Sequence, residues 1–130
     1  MQMRRPAAVD VRITDPVDFL RYVLTQHDLV AGLAKQTHPD VIAVADHSLD
    51  VHGAGGRHIR GELKGPYGIP YRCLYSRNVE NLFCAGRNIS TTHAALSSTR
   101  VMATCATLGQ AVGAAAAIGV RAGLTPRGGY

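Results

Sequence analysis

One segment narrows what the whole chain can become. Residues 101–123 read VMATCATLGQAVGAAAAIGVRAG, a long helical stretch made largely of alanine and glycine. Gly109 and Gly113 fall inside it, and each costs about 1 kcal/mol of intrinsic helix propensity relative to alanine. A helix tolerates that when its backbone must lie close to a sheet or a ligand. Such a helix adds little bulk to a core, and the rest of the chain supplies only two Phe and no Trp. At 130 residues the chain is one domain's worth. Its elements nevertheless look built for close packing against something larger.

Charge points to the kind of ligand. The net charge is +5, but Lys and Arg form no run and are not interleaved with aromatic residues, so a nucleic-acid platform is not expected. After Glu80 there is no Asp or Glu, while Arg87, Arg100, Arg121 and Arg127 remain. An acid-free segment with arginines suits an anionic ligand, phosphate being the obvious candidate. Chance in a Gly/Ala-rich stretch is the competing explanation. Cys73, Cys84 and Cys105 are odd in number and contain no C-x-x-C, which argues against a disulfide framework or zinc site and for reduced thiols in a cytoplasmic protein. The N-terminus lacks the apolar run of a signal peptide. The stretch 109–120 is too short and too alanine-rich for a bilayer span, so no membrane partner is expected.

Along the chain, residues 9–13 alternate as a strand. Residues 14–37 read as an amphipathic helix capped at Thr14 or Asp15, with Pro16 in its first turn. Residues 41–45, VIAVA, read as a buried strand, and 48–52 alternate weakly. GAGG at 53–56 is a loop and GPYG at 65–68 a turn. Residues 69–75 make a strand, placed at an edge or start by Pro70. The apolar run 82–85 stops at Gly86, as a backbone does where something must come close to it. A polar crossing follows, and the last helix starts near Ser98 or Thr99. The tail 123–130 is expected to fray.

That join is the main candidate site. Helix N-termini present free N–H groups and a partial positive charge, and so receive anions. Arg100 would sit in the first turn, against the helix dipole, as a partner for a phosphate or substrate carboxylate; an arginine reaching out to water is the alternative. GAGGRH, at 53–58, has histidine where a dinucleotide fingerprint needs its third glycine, so it is not a phosphate loop. No histidine spacing matches a metal site, and no metal is expected. His38, His47 and His58 read as surface or turn residues. His52 and His93, beside glycine or Thr-rich loops, are the better proton donors or hydrogen-bond partners.

The run IPYRCLYSRNVENLFCAGRNISTTHAALSSTRVMATCATLGQAVGAAAA, with a weaker stretch HPDVIAVADHSLDVHG before it, resembles the C-terminal end of a family of FAD-dependent oxidoreductases. These have a glutathione-reductase-type FAD domain, and relatives include the flavin subunit of heterodisulfide reductase. The resemblance implies an α/β fold: the closing strand and helix of a partial FAD/NAD(P)-binding, Rossmann-like domain at 65–122, the end of a mixed substrate domain at 1–64, and a tail at 123–130. It implies that Ala85 and Gly86 lie beneath the FAD ribityl chain and pyrophosphate, with Arg87 where many flavoproteins carry an acid. The last helix would aim its N-terminus at the flavin's pyrimidine edge, where reduced flavin carries negative charge. Flavin contacts are thus expected from Ala85, Gly86, Arg87, Ser98, Thr99, Arg100 and Met102, and substrate-side roles from His52, Arg72 and His93.

The implied activity is hydride transfer from a small organic substrate to FAD. The Gly-rich βαβ unit that opens such enzymes is missing, as are the cysteines of an iron–sulfur centre. The expectation is therefore a C-terminal piece, inactive alone, whose N-terminal FAD-binding half is in the same or another chain. A non-catalytic subunit completing a flavoprotein in trans and a small basic binding module are the alternatives.

Overall fold

The computed structural model describes residues 21–56 and 58–129. The strand expected at 9–13 and the helix start expected at 14–16 lie outside the described residues. Elements follow in the order α1 (Gln26–Ala31), β1 (Val41–Ala45), β2 (Leu49–His52), β3 (His58–Gly61), β4 (Tyr67–Pro70), α2 (His93–Thr99) and α3 (Met102–Ala122), with short 3-10 turns at Ala54–Gly56, Tyr71–Cys73, Gly86–Asn88 and Pro126–Gly129. The mixed helix and strand content is compatible with an α/β fold. Its described strands form two separate two-stranded antiparallel ribbons, β1–β4 and β2–β3.

Of the described part of the helix expected at 14–37, only Gln26–Ala31 is helical. Thr25 accepts from the Asp28 amide while the Asp28 carboxylate accepts from the Thr25 amide at 2.8 Å, a reciprocal cap that starts the helix at Gln26. Gly32, at φ +66°, ends it by donating to the carbonyls of Asp28 and Leu29. Leu24 is extended instead. Its amide donates to Ser90 O and its carbonyl accepts from Thr92 N, both at 2.9 Å. A long-range bridge has displaced local helical propensity. Leu24 and Leu29 are fully buried, whereas Val30 and Leu33 of the expected apolar face are exposed.

β1 alternates rather than being buried throughout: Ala43 and Ala45 face the core and Val44 is exposed. Its partner β4 begins at Tyr67, inside the expected turn, and ends at Pro70, before most of the expected strand 69–75. The chain then makes a 3-10 turn at Tyr71–Cys73. Gln36 covers β4 as a strand would. Its amide oxygen accepts from Gly68 N at 2.6 Å and its nitrogen donates to Gly68 O at 3.1 Å. The β1–β4 pairing joins segments on either side of residue 64.

The core is small. Leu24, Leu29, Tyr67, Ile69, Leu74 and Leu108 are its large, fully buried members, with Ala43, Ala45, Cys73 and Ala95 between them. Each Leu or Ile contributes about 1.5–3 kcal/mol by burial. α3 lies on β1, on the Gly86 turn and on the Pro126–Gly129 turn. Only Thr104 and Leu108 of α3 are buried, while Met102, Ile118 and Val120 are exposed. α3 is long and apolar enough to cross a membrane by length and composition, with mean hydropathy 1.4. The expected frayed tail folds back, for Tyr71 donates its hydroxyl to Pro126 O at 2.8 Å and Leu124 N donates to Gly119 O.

Next to β1, Arg72 binds Asp40 by two side-chain bonds of 2.9 and 3.1 Å, and its own amide adds a third at 3.1 Å. The ring of Tyr22 covers the guanidinium at 5.3 Å. Burial alone would raise the Asp40 carboxyl, but the bonds from Arg72 hold it below its ordinary value of 3.8. The stabilisation from this pair is therefore complete above about pH 4 and is lost as pH falls through the lower folded value. Asp40→Ala, which removes these three bonds, is expected to cost about 3 kcal/mol in urea titrations at pH 7, and the gap from wild type should close at pH below that of ordinary carboxylates.

A Cβ on Gly68 would lie 2.7 and 2.8 Å from the two methyls of Val41. Gly68→Ala is expected to lose about 1–3 kcal/mol of stability, and adding Val41→Ala should recover most of that loss in the same titration.

Candidate functional site

The apolar run 82–85 does not form a regular strand. It makes a single antiparallel bridge, Tyr75↔Phe83, through bonds from Cys84 N to Leu74 O (2.7 Å) and from Ser76 N to Leu82 O (3.0 Å). The reason is a lack of neighbours, since no second described strand lies beside it to continue a sheet. Gly86 then turns at φ +82°, a conformation that costs glycine little and an L-residue more. Its nearest contact is Cys105, whose Cβ and Sγ would both lie 4.0 Å from an added Cβ. The bare turn therefore lies against the first turn of α3.

The join after Gly86 differs from expectation. Residues 87–101 are not one irregular crossing. Thr92 caps α2 by accepting from Ala95 N, and α2 runs to Thr99 before α3 starts anew at Met102. Ser98 and Thr99 therefore lie in the last turn of α2 and not at the start of the final helix. Arg100 is the C-cap of α2, where a cation suits the dipole, so no local rule is broken there.

Both Ser98 and Thr99 are fully buried. Ser98 shares a 2.7 Å hydrogen bond with the Tyr67 hydroxyl and bonds His47 O. The neighbouring Ser97 accepts from Asp50 N at 3.1 Å and donates to Ala94 O. The Thr99 hydroxyl is buried without a hydrogen-bond partner.

At the start of α3, Val101 offers no side-chain cap. The first amides of a helix have no partner within it, so this end presents N–H groups beside the Gly86 turn. Met102 there is 88% exposed.

Next to this turn lies a cavity of about 90 Å³ lined by Asp50, His52, Arg87, His93, Leu96, Ser97 and Arg100. Three separate segments supply it: β2, the Gly86 turn and α2. Four residues singled out in the sequence, His52, Arg87, His93 and Arg100, thus meet in one place. Ala85 and Gly86 precede Arg87 in the chain. Arg72 lies elsewhere, in its pair with Asp40.

Sequence spacing missed two groups. Asp50 bonds His52 Nε2 at 3.0 Å, and this bond, with the charges of His52, Arg60 and His58, holds its carboxyl below the ordinary value. His58 sits opposite His52 across the ribbon, ring centroids 4.2 Å apart, so it is not an isolated turn residue. The donor atoms of Asp50, His52 and His58 lie within 4.8 Å of one another and could hold a metal ion. The period-2 signal of D-x-H on a strand could have found the first pair. His38, expected at the surface, has a side chain only 10% exposed and lies 3.4 Å from Asp28.

A larger apolar groove of about 550 Å³ is bordered by residues of β1 and α3 and contains none of the site residues expected from the sequence. Burial pushes the Cys73 and Cys84 thiols up, away from the thiolate form, so neither is a ready nucleophile.

The family described as FAD dependent oxidoreductase matches residues 21–128, and the chain belongs to that family. It is an oxidoreductase at that level, and its cofactor is FAD. No curated protein and no solved structure matches the chain significantly.

The residues present fit FAD. A bare glycine at φ +82°, whose nearest neighbour is Cys105 at ordinary contact distance, an uncapped helix start and an acid-free surrounding sequence suit an anionic cofactor. Ser98 is a structural member of this region. Ser98→Ala leaves the buried Tyr67 hydroxyl and His47 carbonyl short of a partner, and is expected to lower stability by about 1–3 kcal/mol in thermal or urea unfolding.

Proposed function

We propose that this chain forms the closing part of the FAD domain of a flavin-dependent oxidoreductase, with the Gly86 turn and the start of α3 against the flavin. The observation that carries this reading is the packing of a bare, positive-φ glycine turn against an uncapped helix N-terminus. The α3 dipole favours negative charge at that end, and the backbone at Gly86 admits close approach. FAD, when bound, supplies the hydride acceptor. Ala85, Gly86 and Met102 bind and orient it. His52 and His93, together in the adjoining cavity, stand on the substrate side as hydrogen-bond or proton partners for a small organic donor. A likeness to glutathione-reductase-type domains, and to the heterodisulfide-reductase flavin subunit, extends the same reading.

The rest of the FAD domain, from this or another chain, would cover α3. In support, Gly109 and Gly113 have no atom within 4 Å of an added Cβ, and the outer face of α3 is exposed. A face of Ala and Gly allows another backbone to come close. Covering it in this way favours a cytoplasmic flavoprotein over a membrane-spanning helix, and would complete a catalyst that the described residues do not complete alone.

The test uses Gly86→Val in the protein purified with any chain that accompanies it. FAD occupancy, read from flavin absorbance after desalting, is expected to fall tenfold or more. Gly123→Ala is the control. Gly123 also has positive φ (+67°), with open space around it, but lies at the far end of α3. It should cost about 1 kcal/mol of stability and leave FAD occupancy unchanged. Equal FAD retention by Gly86→Val and wild type would remove the proposed site.

A further inference from the structure

Resting on the flavin reading, we infer that the cavity between β2, α2 and the Gly86 turn seats the carboxylate of a small organic acid, gripped by Arg87 and Arg100 with His93 beside them. The first argument is cationic and hydrogen-bonding side chains without a partner. The Arg87 and His93 side chains make no hydrogen bond or ion pair among the described residues. Arg100 makes one long contact, Nη2 to the Asp50 carbonyl at 3.5 Å, and has no acidic partner among them. The one carboxylate in the lining, Asp50, is committed to His52 at 3.0 Å, with Arg60 at 3.7 Å and His58 at 3.8 Å around it. It neutralises its own ribbon and leaves the arginines free for a ligand.

Size and shape decide the class. A water needs about 10–15 Å³ of such space, so a cavity of about 90 Å³ takes one oxyanion and one or two attached atoms but not a nucleotide. Guanidinium forks match the planar, two-oxygen edge of a carboxylate. The arginines come from different segments, so they can approach one ligand from two sides. Leu96 gives the lining an apolar member, which suits the carbon next to a carboxylate better than bare phosphate. His52, oriented by Asp50, borders the same space and faces the rest of the substrate.

The competing oxyanion is the cofactor's own pyrophosphate, and the experiment separates the two. Binding of ¹³C-acetate to the purified protein is followed by NMR line broadening, with and without saturating FAD, and inorganic phosphate serves as competitor. Acetate should bind equally well in the FAD-loaded protein, and tenfold or more weakly to Arg87→Leu and Arg100→Leu. Arg87 is exposed, so its variant keeps the fold even if Arg100→Leu does not. Arg87→Lys should restore part of the affinity. Loss of acetate binding on adding FAD, with phosphate displacing acetate in its absence, would assign the cavity to the cofactor and overturn the inference. Acetate affinity indifferent to Arg87→Leu would overturn it as well. FAD uptake is measured on the same samples by absorbance. A protein that binds acetate through Arg87 but takes up no FAD would retain the carboxylate seat and discard the flavin reading.

Discussion

The short polar seam along α2 determines where the candidate site lies. Two consecutive serines do the work in opposite directions. Ser97 takes the amide of Asp50 and so fixes the start of the β2–β3 ribbon. Ser98 reaches the Tyr67 hydroxyl on β4 and the carbonyl of His47 on the link before β2. The Tyr67–Ser98 bond is buried and the other two partly so, and away from water a hydrogen bond is electrostatically stronger and an unmade one costly. These bonds hold three sequence-distant segments in one arrangement. Because α2 is held there, His93 at its start and Arg100 at its end both reach the cavity beside His52. A seven-residue helix has little stability of its own, so the seam and its Thr92 cap matter more to it than propensity does.

The second constraint is the smoothness of α3. Its inner face offers Thr104, Leu108 and the partly buried Val112, spaced four apart, to the core. That stripe suffices to fix the helix on β1 and against the Gly86 turn. The outer face is mostly alanine and glycine, and it stays open among the described residues, with Met102, Ile118 and Val120 exposed. A helix with one anchored stripe and one bare side suits a position between two layers. The proposed flavin site at its N-terminus and the proposed covering surface along its side both rest on one composition.

Some of this was legible before any coordinates. The glycine stop at 86, the long Ala/Gly helix and the acid-free stretch after Glu80 are local or compositional signals of close packing and an anionic ligand, while the FAD family came from the resemblance of the run IPYRCLY to GAAAA as a whole. The β2 alternation was visible too. The convergence of His52, Arg87, His93 and Arg100 was not, because residues far apart in sequence meet only through the docking of α2 on two ribbons. Arg72 looked like a substrate-side cation, and its sequence neighbours contain no hint of Asp40 across the β1–β4 ribbon. Ser98 and Thr99 looked like a helix start. The break at Arg100 and Val101 leaves no proline or glycine as a sign, and the preceding cap, Thr92, is one of several Thr and Ser residues in a row.

The sequence by itself determined the chemistry available: glycine where a backbone must turn with positive φ, arginines without acids, and a helix too smooth to stand as a core. These follow from side-chain size, charge and backbone freedom, which each residue carries wherever it lies. Only the tertiary structure decided which residues share a site and where helices begin and end. Leu24 left the helix pattern to pair with Thr91, and Asp50 came to serve His52, His58 and Arg60 at once. Long-range hydrogen bonds and ion pairs of that kind outweigh local propensities of a few tenths of a kcal/mol, and their partners cannot be read from neighbouring positions.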